Sequence, residues 1–101
     1  MLRMKWHDIK SLIEYPEGVL SKELVKGKSS VTLFCMAKGT EISEHTSARQ
    51  GFVYVIEGRG VFSLEGAGIA MEPGILISMR ANAKHSLKAE ENTSFLLFLW
   101  Q

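Results

Sequence analysis

The 101-residue chain is short of the features that announce most functional classes. It has one cysteine, Cys35, so no internal disulfide can form and a cysteine-based metal site is excluded. That usage fits a reducing compartment, and we expect a cytoplasmic protein. It has one aspartate, Asp8, so no Ser-His-Asp set can be assembled, and the glutamates fall mostly in turns, which leaves no paired-carboxylate site. Twelve Lys+Arg stand against eleven Asp+Glu, a net charge of +1, with no block of basic residues. That balance argues against nucleic acid as a partner. The longest apolar run is Phe95 to Trp100, far short of the roughly 20 residues that cross a bilayer as a helix, so no membrane association is expected. Residues Met1 to Lys10 alternate charged and apolar positions and lack the apolar stretch of a secretion signal.

What is present is a run of short strand signals separated by turns. Residues 1–18 form a segment of their own: Trp6, Ile9, Leu12 and Ile13 carry helical spacing for one or two turns, and Tyr15-Pro16-Glu17-Gly18 ends it. From residue 19 to 101 we expect one domain. Its strand signals are Val19–Lys26, Ser30–Ala37, Ile42–Ser47, Phe52–Glu57, Val61–Glu65, Ile69–Met71, Ile75–Met79, His85–Ala89 and Phe95–Trp100. The turns fall at Gly27-Lys28, Lys38-Gly39-Thr40, Gly58-Arg59-Gly60, Gly66-Ala67-Gly68, Pro73-Gly74 and Glu90–Thr93, with a loop over Arg80–Lys84. The alternation places His85, Leu87 and Ala89 on one face and turns Tyr54 away from Val53 and Val55. Short strands at regular spacing indicate an antiparallel sandwich or barrel. The last strand is apolar on both faces, so its outer face should be covered by the N-terminal segment or by a second subunit, making a homodimer the expected state.

Two segments carry paired glycine and histidine positions. In the first, Gly39 is followed by five residues and His45; Ser47 follows two positions later, Gly51 four after that, and Gly58 closes the segment. In the second, Gly74 leads through Arg80 and Asn82 to His85 and then Ala89. This order and spacing resemble the two motifs of the cupin superfamily, G-x5-H-x-H-x3-E-x6-G and G-x5-P-x-G-x2-H-x3-N, over about residues 30–100. The resemblance implies an all-β antiparallel jelly-roll barrel, RmlC-like, with a short N-terminal segment.

Metal-binding cupins hold a divalent ion (Mn, Fe, Ni, Zn or Cu) with three inward His and one Glu. Here His45 and His85 stand at two of those positions, while Ser47 and Gly51 replace the other His and the Glu. The resemblance therefore implies His45 and His85 as metal ligands, with Gln50, Glu44 or His7 to complete a shell. It equally implies a small-molecule pocket lined by His45, Ser47, Gln50, Gly51 and His85, with room at Ser47 and Gly51 for an organic ligand. The leading expectation is small-molecule binding in the barrel, with no catalytic residue assignable. The alternatives are a metal-dependent dioxygenase- or isomerase-like enzyme with a two-His centre, or a sensory or structural module. Arg49 and Arg80 are expected at the rim, Cys35 in the core and His7 on the surface.

Overall fold

The computed structural model describes residues 4–101; Met1 to Arg3, the start of the N-terminal segment, lie outside the described residues. Nine strands follow one short helix: α1 (Ile9–Leu12), β1 (Val19–Val25), β2 (Ser30–Met36), β3 (Glu41–His45), β4 (Gln50–Glu57), β5 (Gly60–Leu64), β6 (Ala67–Met71), β7 (Leu76–Met79), β8 (His85–Ala89) and β9 (Thr93–Trp100). They form two antiparallel sheets, ordered β1-β2-β9-β4-β7 and β3-β8-β5-β6. Alternation decides which side chains fill the space between them. Met36, Val53, Val55, Ile77, Met79 and Phe95 point inward from the larger sheet, and Phe62, Met71, Leu87 and Ala89 from the smaller one. The result is the two-sheet jelly-roll barrel that the strand pattern and the resemblance anticipate.

Several boundaries differ from the sequence reading. The turn expected over Gly66-Ala67-Gly68 is a two-residue hairpin at Glu65-Gly66, with Leu64 paired to Ala67. Both turn residues have positive φ, 49° and 84°. This is the geometry that matches strand twist. Glutamate at the first position is not a typical signal for it, so Ala67 and Gly68 join β6 instead. The Gly27-Lys28 turn is also longer than two residues, because β1 ends at Val25 and β2 starts at Ser30. Arg49, expected at the rim, closes that loop: its guanidinium donates to the carbonyls of Gly27 (3.4 Å) and Lys28 (3.3 Å) and to Ser30 Oγ (3.2 Å).

The two outer faces are unlike. The smaller sheet shows polar residues outward, among them Glu41, Ser43, Ser63, Ser86 and Lys88. The larger sheet is apolar outside. Its β1–β2 end is capped by the N-terminal segment, where Lys22 Nζ donates to Leu12 O and pairs with Glu14 (both 2.9 Å). Leu33 and Cys35 are fully buried beneath that segment. Burial raises the pKa of the Cys35 thiol and of Tyr15. Tyr15 Oη and Ser94 Oγ approach each other there without reaching hydrogen-bond geometry among the described residues. His7, expected on the surface, is half-buried, with Nε2 inside. The other end of the face is uncovered: Tyr54 is 41% exposed and Leu76 59%.

Candidate functional site

His45 ends β3 and His85 begins β8, and the two are paired across the ladder. In plain alternation they could not share an inward face with Ile42, which lies three residues before His45. A register shift between Ile42 and His45 inserts one residue and turns His45 to the inward-facing side of the strand. The rings meet edge to face, with centroids 4.1 Å apart. Phe62 stacks on His85 at 5.7 Å with planes nearly parallel. His85 is 6% exposed, whereas His45 stands at the open end.

Each imidazole is oriented by the backbone two residues before it. His45 Nδ1 donates to Ser43 O and His85 Nδ1 to Ala83 O, both at 2.9 Å. A carbonyl only accepts, so each Nδ1 is the donor and carries a proton. Burial lowers the His85 pKa below its usual value, with the neighbouring His45 adding to this and the Ala83 carbonyl partly opposing it. His85 is therefore neutral at pH 7, the state in which Nε2 can accept a proton or a metal.

The loop before His85 is held in place by the turn after β3. Asn82 takes a positive φ of 65°, and its N–H donates to Ser47 O at 2.7 Å. Ser47 Oγ accepts from Arg49 N at 3.2 Å, so the hydroxyl is occupied with its own turn. Gly51 does face inward, but it does not leave the room expected of it: a Cβ built there would overlap the Phe98 carbonyl and stand 2.7 Å from Leu99 Cδ2.

Two spaces result. The inner one is a cavity of about 60 Å³ bounded by His45, His85, Phe62, Met79, Phe95 and Leu97, among others. Since a liquid water occupies about 30 Å³, it holds roughly two waters, not an organic substrate. The outer one is an open groove of about 590 Å³ at the barrel mouth, walled by Gln50, Phe52, Glu65, Arg80, Ala83 and Trp100. Gly51 and Met79 line it too, and Met79 also lines the inner cavity. Phe52 and Trp100 form a tilted aromatic pair at 4.8 Å.

The structure thus brings His45 and His85 together, sets Gln50 and Gly51 in the mouth groove, and leaves Ser47 out of both spaces. Met79, Phe62 and Trp100 belong to the site too, and periodicity alone reads them as core. Glu44 lines the outer face of the smaller sheet. Among the described residues no group of three or more His, Cys, Asp or Glu comes together to hold a metal. Two imidazoles held through Nδ1, with Nε2 left as the donor atom, suit a late transition metal; without a carboxylate they do not suit Mn or Fe, which favour oxygen donors.

A two-sheet jelly-roll barrel with a His pair at its open end is the architecture of a cupin. The chain belongs to the cupin family: the cupin-domain family matches residues 32–100. A conserved protein of unknown function from Streptococcus pyogenes is 26% identical, with a TM-score of 0.87 over 98% of this chain and 89% of that one. A cupin superfamily protein from Desulfitobacterium hafniense is 22% identical, with a TM-score of 0.87 over 97% of this chain and 92% of that one. Salicylate 1,2-dioxygenase from Pseudoaminobacter salicylatoxidans shares the fold at 19% identity and a TM-score of 0.77, over 81% of this chain and 26% of that one. No curated protein matches the sequence.

Proposed function

We propose that this cupin binds a small planar organic acid in the mouth groove. The observation that carries the reading is the groove itself: at about 590 Å³ it falls in the size range of ligand sites, while the inner cavity does not. Arg80 supplies a cation at its wall and the Phe52–Trp100 pair a flat apolar surface. A guanidinium meets a carboxylate through two parallel hydrogen bonds, which fixes the orientation of the acid. Gln50 adds an amide donor and acceptor beside it.

The test is a panel of aromatic and heteroaromatic carboxylates followed by amide and indole NMR shifts. Saturable shifts at Gln50, Phe52 and the Trp100 indole are expected, weakened about tenfold or more in Arg80→Ala, since a charged hydrogen bond contributes about 1.5–3 kcal/mol. Shifts that map elsewhere, or that ignore Arg80→Ala, would overturn the reading.

A second reading places a metal between His45 and His85. It is favoured by the two Nδ1–carbonyl hydrogen bonds, the arrangement that orients metal-ligating imidazoles. A bound metal would act as a Lewis acid beside whatever occupies the groove.

Residues 1–18 act in this proposal as an arm and residues 19–101 as the barrel domain. The contrast between the two outer faces supports a homodimer formed through the larger sheet, and the free, buried Cys35 supports a cytoplasmic location. Burying the Tyr54–Leu76 end of the sheet against a second copy removes apolar surface that a monomer leaves wet. Sedimentation should show a dimer for the wild type and a monomer for Leu76→Lys combined with Tyr54→Lys. A wild type that stays monomeric at all concentrations would sink the dimer.

A further inference from the structure

We infer that the inner cavity is a monovalent-copper site in which Met79 Sδ is the third ligand beside His45 Nε2 and His85 Nε2. The inference deepens the metal reading above and rests on it.

Three observations converge. First, Met79 and Gly51 are direct partners across the β4–β7 ladder. Gly51 stands where the resemblance places the carboxylate ligand, so an inward thioether sits beside the position that lacks it. Met79 also lines the same cavity of about 60 Å³ as both imidazoles. The two imidazoles and the thioether side chain thus border one small void. Second, the donor set is soft and neutral. Thioether sulfur selects Cu(I), and imidazole accepts copper readily. Third, the cavity has aromatic and aliphatic walls, and among the described residues no carboxylate lines it. An ion in such a cavity pays a desolvation cost that grows with the square of its charge, so a monovalent ion faces about one quarter of the divalent penalty. The walls that disfavour Mn or Fe tolerate Cu(I). His45 at the open end provides the entry.

The experiment is an anaerobic titration of tag-free protein with Cu(I) against the chromophoric chelator bicinchoninate, with Zn(II) in a parallel series. Wild type should withhold one Cu(I) per chain and favour it over Zn(II). Met79→Leu, which conserves volume, should weaken Cu(I) at least tenfold. Selenomethionine-labelled protein should show a copper neighbour at the selenium absorption edge that is lost in labelled Met79→Leu. This readout does not depend on how much stability the variant retains. Equal Cu(I) affinity in wild type and Met79→Leu, with no selenium–copper signal, would overturn the thioether assignment and leave a two-imidazole site standing. Failure of the wild type to retain either ion would overturn both.

Discussion

Gly58→Ala should cost about 3–5 kcal/mol, enough to leave this small barrel barely folded. Two penalties fall on the same atom. Gly58 has a φ of +100°, a region that side chains rarely enter. Forcing alanine there costs about 1–3 kcal/mol in strain. The methyl would also be driven into the β9 entry, overlapping the Asn92 carbonyl and standing 2.5 Å from Thr93 Cα. Overpacking of that kind costs about 1–3 kcal/mol more. The neighbourhood cannot yield cheaply. Thr93 is fully buried, its Oγ1 accepts from Arg59 N at 3.1 Å, and its hydroxyl hydrogen is directed to Glu91 O at 2.7 Å or Arg59 O at 3.0 Å. Gly66→Ala is the control. Gly66 has a φ of +84° with open space around it, so it meets the strain without the collision. It should lose only about 1 kcal/mol. Urea unfolding of the three proteins separates the two contributions. Equal losses for both variants would mean that the β9 collision relaxes away, contrary to this account.

Phe62→Ala should cost about 3–5 kcal/mol, the range for truncating a buried phenylalanine. Phe62 is 1% exposed and belongs to the core cluster. It has a second effect that a generic core residue lacks, because its ring lies parallel to and beside that of His85 in the same cavity wall. Removing it lets water reach the imidazole. The metal-free variant should then show the His85 pKa rising back toward 6.5, since burial is the main cause that lowers it. The sign follows directly: less desolvation favours the charged form. An NMR titration of the imidazole carbons reads this, and urea unfolding reads the stability. A His85 pKa that stays depressed in Phe62→Ala would show that its environment is set by other walls of the cavity.

The barrel is largely legible in the sequence, and for identifiable reasons. Alternation in Phe52–Glu57 and His85–Ala89 is strong, and the glycines at 39, 58 and 74 take the positive φ that their turns require. The His pair was legible through motif spacing. Met79 was not, because a methionine on an apolar strand reads as core, and its adjacency to Gly51 exists only once β4 and β7 are in register. The filled space at Gly51 was equally hidden, since a glycine suggests vacancy and Leu99 on another strand supplies the atoms. Arg49 reads as a rim cation in the sequence because its acceptors, two backbone carbonyls and a serine hydroxyl, lie some twenty residues away in the β1–β2 loop region.

The register shift in β3 carries a consequence for how such a site can be gained or lost. Strand alternation is a two-beat count, and the extra residue between Ile42 and His45 is an offset of one beat. Delete one residue there and every chemical group of the site is still encoded, but His45 faces the water and His85 has lost its counterpart. No substitution is needed to switch the pair off, and none at His45 itself would compensate. The site is specified by a count as much as by composition, so a comparison of related chains that scores matching residues while ignoring a single-position gap in β3 would credit a His pair to proteins that have none.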